Sequence, residues 1–222
     1  MMRAWSCGLV LVFGLAMSGC GVPPLKRFYT LSNHPEQAAV GKNSRCERGL
    51  VVAASDVVPP YDDVQLVFRS DDFEVKFFNY RLWVTAPADM LRKLISDRLH
   101  YTGLFTKVDS EIDGMGGDLV LSFKLLALEE LVEKRSQQAR LSMRFKLVDP
   151  LSEDILWTHE FDTVRAFPKE SASGLVETLS GIYNDELDKM IKALAKVAVN
   201  DRACELESEL ESELESEPDP EL

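Results

Sequence analysis

"LVLSFKLLALEELVEKRSQQARLSMRFKLVDPLSEDILWTHEF", residues 119–161, holds three segments in which apolar and polar residues take turns. A β-strand points successive side chains to opposite faces, so alternation with a period of two marks a strand with one buried face. In the first segment Leu119, Leu121, Phe123 and Leu125 share a face. In the second, Leu141, Met143, Phe145 and Leu147 alternate with Ser142, Arg144 and Lys146, the clearest one-sided pattern in the chain. In the third, Ile155, Trp157, His159 and Phe161 fall together, and Asp149-Pro150 opens the turn before it. Long strands in succession with short connections predict antiparallel hairpins.

Upstream, "LVVAASDVV" (50–58) is a continuous valine-rich run that ends at Pro59-Pro60 and reads as a buried strand. Val64, Leu66 and Phe68 give a second strand. Phe73, Val75 and Phe77 give a third, with Ser70-Asp71-Asp72 as the turn between them. Thr85 is the expected N-cap of a helix, with Pro87 in its first turn and Asp89 near its positive end. Met90, Leu91, Leu94, Ile95 and Leu99 recur at helical spacing, and Gly103 is a natural stop. A short strand follows within "LFTKVDS", then a glycine-rich loop at 113–117. Downstream, an apolar stripe runs from about Ser171 to Val199 through Leu175, Leu179, Ile182, Leu187, Met190 and Leu194. That helix is roughly 40 Å long and must cover a sheet face or pair with another helix. The expected fold is α+β, an α/β sandwich: a mixed, largely antiparallel β-sheet with two main helices packed on it.

The chain's 222 residues carry a formal charge of −12, but "ELESELESELESEPDPEL" (205–222) holds nine acidic residues and no basic ones. Removing those nine charges leaves −3, an ordinary body without a basic cluster for nucleic acid. Leu206, Leu210 and Leu214 would align on a helix, yet glutamates this dense repel one another, so the tail is expected to stay solvated.

Residues 1–19 read as a bacterial export signal. Arg3 supplies a positive start, "GLVLVFGLA" is the apolar region, and Ser18-Gly19 precede Cys20. The apolar run is too short to span a membrane as a helix, which takes about 20 residues. A cysteine at the cleavage point resembles the bacterial lipoprotein signal, which implies that Cys20 is acylated and the segment before it removed. Gly21, in place of the aspartate typical of inner-membrane retention, implies the inner face of the outer membrane. Cys7 leaves with the signal. Cys46 and Cys204 remain, an even pair in an oxidising compartment and the candidates for a disulfide. The organisation is then a signal peptide (1–19), a lipidated cysteine with a short tether (20–26), a folded domain (27–204) and an acidic low-complexity tail (205–222).

Several short motifs carry a wider likeness: "KRFYTL" soon after Cys20, "VVPPYDDVQLVFR", "EVKFFNYRLWVTAP", "GLF" before a strand, "ILWTHEF", and a closing helix that contains "LS". Taken in order, over about residues 20–199, they resemble the ABC-type transport auxiliary lipoproteins. The resemblance implies a first strand at Phe28-Tyr29-Thr30-Leu31 and a role in moving lipids between inner and outer membranes. It also implies an ABC permease/ATPase complex and an MCE-domain protein as partners, and a homo-oligomeric ring. A periplasmic envelope-assembly or binding lipoprotein unrelated to lipid traffic is the alternative.

No catalytic constellation emerges, and no cofactor or metal spacing. His34, His100 and His159 are scattered, and there is no nucleophile elbow, phosphate loop or Cys/His metal pattern. His159, on a strand face with Trp157 and Phe161, is expected to be a hydrogen-bonded, partly buried histidine. Asp62-Asp63 and Asp71-Asp72 read as solvated turn residues. The aromatic cluster Phe73, Phe77, Phe78, Tyr80 and Trp83 has two readings. Phe77 and Phe78 point to opposite faces of one strand, so either both sheet faces are covered or an aromatic patch is exposed for a protein or lipid contact.

Overall fold

The chain forms β1 (Arg27–Tyr29), β2 (Leu50–Ala54), β3 (Gln65–Arg69), β4 (Val75–Trp83), α1 (Pro87–Thr102), β5 (Val108–Asp109), β6 (Leu119–Glu133), β7 (Ser136–Val148), β8 (Ile155–Ala166) and α2 (Ala172–Asn200). The computed structural model describes residues 24–33, 46, 48–54, 57–71, 73–109, 119–133, 136–167 and 171–200. The expected cleavage site, Cys20, Cys204 and the acidic tail lie outside them.

The meander of β6, β7 and β8 is antiparallel, as the alternation predicts, with Phe123 opposite Phe145 and Phe145 opposite His159. β6 is the spine. One of its edges pairs with β7 along its whole length, and the other is shared. Near its start β6 takes β2 in parallel, Leu50 opposite Leu119; near its end it takes β3 in parallel, Val67 opposite Glu129. β4 then pairs antiparallel with β3, and β1 parallel with β4. The sheet is therefore mixed and, by length of pairing, largely antiparallel, as expected. The long pairings are antiparallel, while the short strands β1, β2, β3 and β5 join through parallel contacts. Parallel partners lie far apart in sequence, so no local turn signal announces them.

Both helices cover one face. α1 packs on β2 and β5, α2 on β7 and β8. The residues expected at the core are there: Leu119, Leu121, Phe123, Leu125, Leu141, Met143, Phe145 and Leu147 are all buried, and so are Leu175, Leu179, Ile182, Leu187, Met190 and Leu194 of α2. Each fully buried side chain of this kind contributes about 1.5–3 kcal/mol relative to exposure. The opposite face of β7 and β8 is a ladder of charge pairs, Arg144 with Glu160 at 2.7 Å and Arg140 with Asp162 at 2.7 Å. Gly103 ends α1 in the left-handed conformation at φ 64°, as expected of a glycine stop. The N-cap is Ala86, not Thr85, and makes no side-chain capping bond. Pro87, which has no N–H, sits at the first helical turn in compensation.

The turn from β7 to β8 is pinned to the chain before β2 by a buried bidentate pair. Arg48 donates from Nη1 to Asp149 Oδ2 at 2.7 Å and from Nη2 to Oδ1 at 3.0 Å. These bonds hold the Asp149 carboxyl below its ordinary range. A depressed carboxyl pKa gives stability that is complete above the unfolded value of about 4 and is lost as pH falls through the folded one. Urea midpoints should therefore drop as the solution is acidified below about pH 4, and Asp149→Asn should lower the neutral midpoint while flattening that acid slope.

Candidate functional site

The β3–β4 hairpin carries the exposed aromatic surface. Its turn is held by Asp71, whose Oδ1 accepts the backbone N–H groups of Phe73 at 2.9 Å and Glu74 at 2.8 Å. This fixed turn leaves Phe73 97% exposed, an unusual position for a phenylalanine ring. Along β4, Phe77 and Tyr80 also face outward, and Phe28 is exposed on the neighbouring strand β1. Phe78 does not: it is half-buried against Phe68, with ring centroids 4.5 Å apart, and Arg81 lies 4.4 Å above it. Trp83 belongs to the core at 2% exposure. The five aromatics named from sequence thus divide. Phe73, Phe77 and Tyr80 are exposed, while Phe78 and Trp83 pack. The pairing of β3 with β4 shifts register between Gln65 and Val67, so plain alternation does not predict which β4 residues face in.

The base of the hairpin is clamped by Glu129 of β6, whose side chain is fully buried. It accepts from the Tyr61 hydroxyl at 2.6 Å, from Arg69 Nε of β3 at 2.6 Å and from Arg140 of β7 at 3.3 Å. A buried carboxylate persists only when it is paired and hydrogen-bonded on this scale. Burial, reinforced by the Glu129 bond, pushes the Tyr61 hydroxyl well above its usual pKa, so it remains a donor. Glu129→Ala should cost about 2–3 kcal/mol, because Tyr61 and the partly exposed Arg69 lose their shared acceptor. The readouts are a lower urea midpoint and faster amide exchange in β3 and β4.

A second buried charge joins three parts of the fold. Arg98 of α1, with a side chain at 0% exposure, pairs with Asp188 of α2 and donates to Asn184 at 3.3 Å and to Asn33 at 3.2 Å. Ser32 completes the tie: its N–H donates to Ser180 Oγ at 3.0 Å and its carbonyl accepts from Asn184 at 2.9 Å. The segment after β1 is thereby held in the crease between the two helices. Sequence reasoning did not single out Arg98 or Glu129, although one signal was available. Arg98 stands at i+3 from Ile95 and i+7 from Leu91, on the apolar stripe itself, where a charge needs a buried partner.

A groove of about 500 Å³ runs along α1 beside the ends of β1 and β4, walled by Thr30, Val84, Thr85, Met90 and Leu94. Its charged rim is self-paired, Arg92 with Asp89 and Lys93 with Asp97, so it selects neither sign of ligand. His159 stacks on Trp157 at 5.5 Å and packs near Phe145 and Phe161. It is partly buried as expected, but its Nε2 makes no hydrogen bond among the described residues, and burial lowers its pKa. His100 is exposed at the end of α1, and His34 lies outside the described residues. Asp63 caps its own turn through the Val64 N–H at 2.6 Å. Among the described residues no group of three or more His, Cys, Asp or Glu could hold a metal ion, and no helix is long and apolar enough to cross a membrane. Cys46 is fully buried beside the end of α1, its N–H on the Leu104 carbonyl at 2.7 Å, and it is disulfide-bonded.

A family model described as the ABC-type transport auxiliary lipoprotein component matches residues 29–190, most of the chain. Among solved structures, a protein from Xanthomonas campestris aligns with a TM-score of 0.67 at 13% identity, over 77% of this chain and 95% of that one. Another, described as an uncharacterized protein, aligns with a TM-score of 0.61 at 13% identity, over 77% of this chain and 99% of its own. Identities this low speak to the fold alone. No curated protein matches the sequence.

Proposed function

Because the chain belongs to the ABC-type transport auxiliary lipoprotein family, we propose that it is a non-catalytic accessory subunit, anchored through Cys20 to the periplasmic face of the outer membrane. It works with an ABC permease/ATPase and an MCE-domain protein to move lipids between the two membranes. The observation that carries this reading is the family match, which spans the folded domain from β1 into α2. The export signal ending in a cysteine supports it, and so does the exposed aromatic side of the β3–β4 hairpin, which offers contact surface. An accessory without chemistry acts by binding. Several lipid-anchored copies in a homo-oligomeric ring would hold a channel mouth by avidity, since each further contact is made at high effective concentration. Cys204, beyond α2, is the proposed partner of Cys46, and a non-reducing peptide digest would identify the linked pair. The transport role is tested by pulse-labelling phospholipids in cells that lack the protein. The expected result is an altered rate of exchange between inner and outer membranes, restored by the wild-type gene; an unchanged rate contradicts the role.

A further inference from the structure

We propose that the tip of the β3–β4 hairpin, led by Phe73 with Phe77 behind it, and the tether residue Leu25 rest on the lipid bilayer itself. This rests on the reading of Cys20 as the acylated residue, and it assigns that tip to lipid, not to a partner protein.

The argument is one of direction and length. β1 runs parallel to β4, with Arg27 opposite Arg81 and Tyr29 opposite Trp83. Stepping back from Arg27 toward Cys20 therefore leads the same way as stepping back along β4 toward the hairpin turn. β4 continues past the level of Arg27 to Val75, but its register shift sets Leu82–Val75 beside only the four β3 steps from Gln65 to Arg69, so the tip lies about 13 Å beyond that level. The chain from Arg27 to Cys20 is seven residues and spans at most about 24 Å. The hairpin tip thus lies on the anchor's side of the domain, within the length the tether can span. A domain held upright on that tether brings the tip to the bilayer surface.

The chemistry along that path suits a membrane interface. Phe73 is 97% exposed, Leu25 85% and Phe28 61%, while Lys26 and Arg27 lie exposed between the last two. Aromatic rings settle at headgroup depth, and lysine and arginine beside them reach lipid phosphates. Two acidic groups of the turn are engaged within it: Asp71 accepts the turn's own N–H groups and Glu74 pairs with Lys76 at 2.6 Å. The Asp71 turn and the Glu129 clamp keep the tip rigid, so Phe73 cannot fold back onto the domain.

The sheet also supplies an internal control. Phe77 lies opposite Val67, and Val67 opposite Glu129. Ile155 lies opposite Val148, and Val148 opposite Val120. These two levels are nine residues apart on β6, about 30 Å. Ile155 is 58% exposed at the far end.

The full-length acylated protein is reconstituted into phosphatidylethanolamine–phosphatidylglycerol vesicles containing brominated lipid, which quenches nearby tryptophan. Phe73→Trp, Phe28→Trp and Ile155→Trp are compared with the parent, after checking that each melts like it. The expected result is a roughly twofold loss of the added emission for Phe73→Trp, a smaller loss for Phe28→Trp, which lies about 13 Å farther back, and none for Ile155→Trp. If all three stay unquenched while the protein still floats with the vesicles, the proposal is overturned and the surface belongs to a protein or to water. If the protein does not float and mass spectrometry finds no lipid on Cys20, the acylation reading fails, and this proposal with it.

Discussion

Replacing Arg98 with alanine is expected to destabilise the protein by about 3–5 kcal/mol, a large part of a typical domain's stability. The substitution removes a fully buried guanidinium and leaves Asp188, Asn184 and Asn33 without the donor that joins them. The cost is that of orphaned polar groups in a low-dielectric crease, added to the cavity left behind. It should register as a fall of about 2 M in the urea midpoint or as outright failure to accumulate in cells. Arg98→Met combined with Asp188→Leu separates the two contributions. Replacing a buried pair by apolar groups is often near neutral, so the double variant should recover most of the loss. The segment from Leu31 to Asn33 should also exchange its amides faster in Arg98→Ala, because Ser32 is bonded to the same cluster.

Cys20→Ala is expected to have the largest effect on location. On the proposed reading the Cys20 thiol is the acyl acceptor, and no helix among the described residues is long and apolar enough to replace the anchor by crossing the membrane. Multiple acyl chains bind a bilayer stably, whereas the aromatic and basic surface alone gives at most weak, reversible attachment. Fractionated cells should show the variant gone from the outer-membrane fraction, retained as unprocessed precursor or found in the periplasm. Labelled fatty acid should mark the wild type alone. Normal acylation of Cys20→Ala would place the lipid elsewhere and remove the basis for the tether length used above.

The parts of the fold legible in the sequence were those governed by local periodicity. Leu141 to Leu147 alternate cleanly because one face of β7 meets the helices and the other meets water, and the α2 stripe is continuous because that helix lies along the sheet. The parallel additions of β1, β2 and β3 were not legible, since their partners lie far away along the chain. The aromatic surface was half legible. The sequence shows aromatics on both faces of β4, but the register shift against β3 decides that Phe77 and Tyr80 face out while Phe78 turns onto Phe68. Glu129 looked like one more strand residue. Its importance follows from the meeting of β3, β6 and β7 and the nearby Tyr61, a convergence that only the three-dimensional arrangement makes.

The central claim is that this lipoprotein serves an ABC-type lipid transport system. It is tested most directly by crosslinking the tagged, acylated protein in intact cells and identifying what is attached to it. The account predicts an MCE-domain protein, with the permease and ATPase of its transporter, together with further copies of this chain. Recovery of outer-membrane assembly factors in place of those components would contradict it.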